Sequence, residues 1–123
     1  MSHRIFLLGS VLLCGMAISG PALAHAHLKS AAPADGATLH TSPSEISLGF
    51  TEGLEPAFST ITVTGESGDL TATSPPVLGN DDATTLSVAP TASLPPDTYT
   101  VRWHVLSRDG HPSSGSYQFR VAP

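Results

Sequence analysis

Apolar and polar residues alternate over several short stretches of this chain. Ile46, Leu48 and Phe50 form one set; Ile61 and Val63, Leu86 and Val88, then Tyr99, Val101, Trp103 and Val105, and finally Tyr117, Phe119 and Val121 form the others. Successive side chains of a strand point to opposite faces, so each set predicts a β-strand with one buried face. The same parity turns Arg102 and His104 outward. Between the sets lie Pro33-Ala34-Asp35-Gly36, Ser42-Pro43, Gly65 to Gly68, Ser74-Pro75-Pro76, Gly79 to Asp82, Pro95-Pro96-Asp97 and Asp109-Gly110-His111-Pro112, all rich in turn-forming residues. An edge strand near Leu28 and a weak one over Leu70 to Thr73 bring the count to about seven. No helical period of useful length is present. Strands with one apolar face must close over each other, so the predicted architecture is all-β, an antiparallel sandwich in one domain.

The first residues follow a different pattern. Arg4 precedes an apolar run from Ile5 to Ile18, and the small residues Gly20, Ala22 and Ala24 follow it. This is the layout of a secretory signal peptide, residues 1–24, cut after Ala24. The run is shorter than the roughly 20 apolar residues of a membrane span. Cys14 as a lipidated residue is disfavoured by the bulky Leu13 before it.

Removing 24 of the 123 residues leaves residues 25–123, enough for one small domain. Lys29, Arg102, Arg108 and Arg120 then face ten acidic residues, a formal charge of −6. That balance disfavours nucleic acid and anionic lipid as partners. Cys14, Met1 and Met16 all lie in the removed segment, so the remainder carries no sulfur ligand and no disulfide. Five histidines remain: His25, His27, His40, His104 and His111.

Cleavage after Ala24 makes His25 the N-terminal residue, and its amine and imidazole can then bind a metal together. His111 stands two residues from Asp109, in the loop between the two clearest strands. Asp109-Gly110 alone reads as an ordinary turn. Combined, the amine and imidazole of His25, the imidazole of His111 and an oxygen of Asp109 give three nitrogens and one oxygen. Cu(II) favours such tetragonal N,O coordination, whereas Cu(I) and blue-copper sites call for sulfur. Zinc is open to the same ligands, although structural zinc sites are closed by four side chains. His27, third from the new terminus, offers a competing local mode through two backbone amides. The amides of a folded strand are committed elsewhere, so the long-range site is favoured, with His27 as an additional ligand. His104 and His40 read as surface residues, and Arg108 as a surface charge.

The segments His25-Ala26-His27-Leu28-Lys29-Ser30-Ala31-Ala32-Pro33-Ala34-Asp35-Gly36, Leu48-Gly49-Phe50-Thr51-Glu52-Gly53-Leu54-Glu55 and Tyr99 through Pro112 with its Asp109-Gly110-His111 resemble the CopC family of periplasmic copper-resistance proteins. The resemblance spans residues 25–123. It implies a Greek-key β-sandwich or barrel, cupredoxin-like or immunoglobulin-like, that binds Cu(II) through His25, Asp109 and His111. It also implies a carrier or buffer rather than an enzyme, located in the periplasm, with an inner-membrane copper transporter of the CopD type as partner. Some members carry a methionine-rich Cu(I) site, for which this chain has no methionines after residue 24. Within the family-like segment, Glu52 is a candidate to orient an imidazole N–H from behind the ligands. The alternative from another class is an oxidative copper enzyme of the polysaccharide monooxygenase type, which also uses an N-terminal histidine chelate. One Trp and two Tyr make a poor sugar platform.

Overall fold

A computed structural model describes residues 26–79 and 81–123. Residues 1–24, where a signal peptide is expected, and His25 lie outside the described residues. Eight strands form two four-stranded sheets: β1 (Leu28–Ala32), β2 (Thr38–Leu39), β3 (Ile46–Phe50), β4 (Thr60–Thr64), β5 (Val77–Leu78), β6 (Thr85–Val88), β7 (Asp97–Leu106) and β8 (Pro112–Val121). The sheets run β1-β3-β6-β5 and β2-β8-β7-β4.

The alternating sets occupy the positions that periodicity assigns them. Ile46, Leu48, Phe50, Val63, Leu86, Val101, Val105 and Phe119 are all at most 2% exposed and fill the space between the sheets. Each such burial contributes roughly 1.5–3 kcal/mol. Arg102 and His104 are exposed on the outer face of β7. Trp103 is half-buried, edge-on to Phe50 with centroids 6.2 Å apart, and opposite Gly115 in the β7–β8 register. A Cβ at Gly115 would fall inside the indole, so only glycine lets that ring lie flat across the neighbouring strand.

Three features depart from the alternation. Leu70 to Thr73 makes only the isolated bridges Thr64↔Leu70 and Thr73↔Pro90, while the fourth strand of the first sheet is β5. Leu70 is 67% exposed, so it has no apolar face to hold a strand in place. The sandwich is also not wholly antiparallel, because β2 pairs with β8 in parallel. The chain passes from β1 to the second sheet through Pro33–Ala37, where the Gly36 N–H donates to the Gln118 carbonyl (2.7 Å) and starts β2 along β8. Finally, Pro56–Phe58 forms one turn of 3₁₀ helix, with a proline where no backbone donor is needed.

Candidate metal centre

Strands β7 and β8 pair over their full length, from Asp97↔Val121 to Leu106↔Pro112, and the loop Ser107–His111 joins them. The backbone closes this loop: Ser107 N–H donates to the His111 carbonyl (3.1 Å) and Gly110 N–H to the Ser107 carbonyl (2.9 Å). Gly110 has φ +88, a left-handed conformation that glycine adopts without a Cβ penalty. The ordinary-turn reading of Asp109-Gly110 is therefore correct, and it is compatible with a second role.

The turn brings Asp109 and His111 together. Asp109 Oδ1 lies 3.1 Å from His111 Nδ1, with the two side chains 50% and 31% exposed respectively. Beneath them sits Ser107, 1% exposed. Its hydroxyl donates to Asp109 Oδ1, accepts the His111 backbone N–H (3.1 Å) and lies 3.2 Å from the His111 carbonyl. The Ser107 hydrogen bond is the main reason the Asp109 carboxyl is held below its ordinary range. Partial loss of water opposes it, and the nearby His111 reinforces it.

The N-terminal arm arrives beside this loop through a shared segment, Thr51–Leu54. Ala26 is fully buried in the core and fixes the arm. His27 N–H donates to Thr51 Oγ1 (3.0 Å), and Thr51 N–H donates to the His27 carbonyl (2.9 Å). Two residues further on, Gly53 accepts the Arg108 N–H (2.9 Å), and Leu54 bridges Ser107. A Cβ at Gly53 would stand 3.0 Å from the Asp82 carbonyl and 3.1 Å from Arg108 Cδ, so a larger residue would push the loop off this segment. The arm and the loop are thus referenced to the same four residues.

Glu52, Asp82, Arg108 and Asp109 line a cleft of about 200 Å³ over Gly53 and Ser107. Glu52 is half-buried there. It thus shares one cleft with Asp109. The Asp82 carboxyl is held below its ordinary range, chiefly by the Thr84 hydroxyl 2.8 Å away.

Of the residues singled out in the sequence, Asp109 and His111 meet directly. His27 is exposed on the adjoining arm, with its backbone engaged by Thr51. His25 lies outside the described residues, and among the described residues no group of three or more His, Cys, Asp or Glu converges as a metal site. His104 and His40 are exposed, as their positions predict. Ser107 and Thr51 were not anticipated. Ser107 had a signal: it continues the inward parity of Val101, Trp103 and Val105, which marks a polar residue at a core position. Thr51 had none, because an exposed threonine after a strand is commonplace.

The CopC domain profile matches residues 28–122, nearly all of the described chain. The chain belongs to the CopC family. It is 43% identical over 98 residues to protein YobA of Escherichia coli strain K12, covering 80% of this chain and 79% of YobA. To copper resistance protein C of Escherichia coli it is 35% identical over 125 residues, covering 94% of this chain and 98% of that one. Among solved structures, CopC from Methylosinus trichosporium OB3b superposes with a TM-score of 0.75 at 32% identity, covering 80% of this chain and 95% of that one. PcoC, a methionine-rich copper resistance protein from Escherichia coli, gives 0.71 at 33% identity, covering 80% and 99%. These likenesses carry the all-β sandwich and a copper-related role. CopC proteins are copper-binding resistance proteins and not enzymes, so the monooxygenase alternative is set aside.

Proposed function

We propose that this CopC protein is exported to the periplasm, cut after Ala24, and there buffers or carries copper as Cu(II) on one all-N/O site. The ligands are the amine and imidazole of His25, the imidazole of His111 and the carboxylate of Asp109. One observation carries this reading: a buried serine holds Asp109 and His111 side by side, on the segment that also pins the N-terminal arm at His27. The donors present, a carboxylate oxygen and an imidazole nitrogen, suit Cu(II) and not the soft Cu(I) ion. Both methionines precede residue 25, so the mature chain has no methionine-rich Cu(I) site.

The local mode at His27 is disfavoured on physical grounds. It requires the His27 amide to lose its proton, and that N–H is donated to Thr51 Oγ1. The His27 imidazole serves as an additional or exchangeable ligand, and Glu52 supports the site from the adjoining cleft. Copper passes to an inner-membrane transporter of the CopD type. In favour of this, the copper transport protein CutJ of Bacillus subtilis is 31% identical over 98 residues, which make up 80% of this chain but only 18% of CutJ. A similar domain is thus built into a much longer transport protein.

The test is Cu(II) titration, with EPR, of a chain beginning at His25, of the same chain with one extra residue before His25, and of His111→Ala. The extra residue and the loss of His111 are each expected to weaken binding by about a hundredfold or more, beyond the 10- to 100-fold typical of supporting residues. Equal affinity in the extended form refutes the amine ligand. An unchanged spectrum in His111→Ala refutes the long-range site.

A further inference from the structure

Ser107, 1% exposed, is with Ser59 one of two buried serines among the described residues. A hydroxyl at that depth is costly unless its hydrogen bonds are made. Here they are made, and all inside one five-residue loop. Closing the hairpin does not need them. The Ser107 backbone alone bonds to the His111 carbonyl and receives the Gly110 N–H, and any residue could supply that. What the hydroxyl adds is specific. It spends its one proton on Asp109 Oδ1 and uses a lone pair on the His111 N–H. An alanine here would keep the turn and take away the carboxylate's hydrogen bond from below.

We propose that Ser107 is a positioning residue for copper: from beneath the loop, its hydroxyl fixes the Asp109 carboxylate in the orientation in which Asp109 and His111 present their donors together. The role rests on the site proposed above. It adds a residue that touches no metal and acts through one that does. A half-exposed aspartate on a turn has two free torsions, and binding a cation must freeze both. The Ser107 hydrogen bond to Oδ1 freezes them in advance. Partners of this kind, one shell behind the ligands, commonly change metal affinity 10- to 100-fold.

A double-mutant cycle separates positioning from mere loop support. Ser107→Ala is measured in the otherwise native mature chain and in an Asp109→Ala background, with Cu(II) affinity, Cu(II) EPR and copper-free thermal unfolding read on each. In the native background Ser107→Ala is expected to weaken Cu(II) about 10- to 100-fold and alter the EPR spectrum. In the Asp109→Ala background the same change is expected to cost no more than about twofold. Ser107→Thr, which keeps donor and acceptor, retains affinity within about threefold and so separates hydrogen bonding from packing. An equal loss in both backgrounds, or no loss when Ser107 alone is changed, overturns the positioning role and leaves the ligand set standing. Unchanged affinity in Asp109→Ala overturns the ligand set itself and the role with it.

Discussion

The two ends of the β7–β8 hairpin are built by opposite means. At the open end, Tyr99 and Phe119 stack with ring centroids 5.5 Å apart, are 3% and 1% exposed, and leave only the Tyr99 hydroxyl to bond the Pro95 carbonyl. At the loop end, Asp109 and His111 remain partly in water; a single buried serine donates to Asp109 and accepts the His111 backbone N–H. Cross-strand pairs run without a break from one end to the other. The difference teaches that burial supplies the stability at one end, which allows the other to keep the polar Asp109–His111 pair at the surface. A hairpin anchored along its whole length can tolerate an exposed, charged loop.

The sharpest way to break this comparison is to damage the apolar end and look for an effect at the loop. Phe119→Ala is expected to destabilise the fold by about 3–5 kcal/mol in urea denaturation. Well below the unfolding transition, the Cu(II) affinity of the same variant should stay within about threefold of native, because additivity holds for separated sites. A parallel loss of affinity shows the two ends to be coupled.

A smaller effect is expected midway along the hairpin. The Tyr117 hydroxyl is buried and has no hydrogen-bond partner among the described residues. Burial, with Asp35 nearby, pushes the phenol up to about 12. Unfolded, it titrates near its ordinary value of 10.0, so its contribution is intact below that pH and is lost as the solution is taken toward 12. Tyr117→Phe should remove this alkaline loss and raise stability at neutral pH by up to about 1 kcal/mol. A clear loss of stability at neutral pH would place a hydrogen-bonded hydroxyl midway along the hairpin.

The smallest effect belongs to Asp109 in the copper-free protein. Its carboxyl is held below the ordinary range, so the ionised form stabilises the fold above that range and the benefit disappears as pH falls through the folded value. Asp109→Asn should therefore melt slightly below the native chain at pH 7, with the gap closing in acid below about pH 3.8 and shrinking in high salt. A gap that persists unchanged to pH 2 removes the carboxylate from the loop's electrostatics.

Much of the fold was legible because β3, β4 and β6 bury every second residue, as do most of β7 and the second half of β8. The two-residue strands β2 and β5 carry no period at all, and the parallel β2–β8 pairing depends on where the chain crosses between sheets. In the candidate site, the spacing of Asp109 and His111 foretold their meeting. Ser107 was hidden because a serine looks like turn chemistry unless the strand parity is carried one step past Val105. At His27 the imidazole drew attention, while the described contacts run through its backbone amide and carbonyl.

The shared footing at Thr51–Leu54 also bears on timing. Thr51 grips a residue 24 positions before it, and Gly53 grips Arg108, far along the chain in the other direction. In an unfolded polypeptide these partners are scattered, and nothing holds the arm near the loop. The meeting of arm and loop is therefore an outcome of completed folding, and a copper site that draws on both, as proposed, does not exist on an unfinished chain.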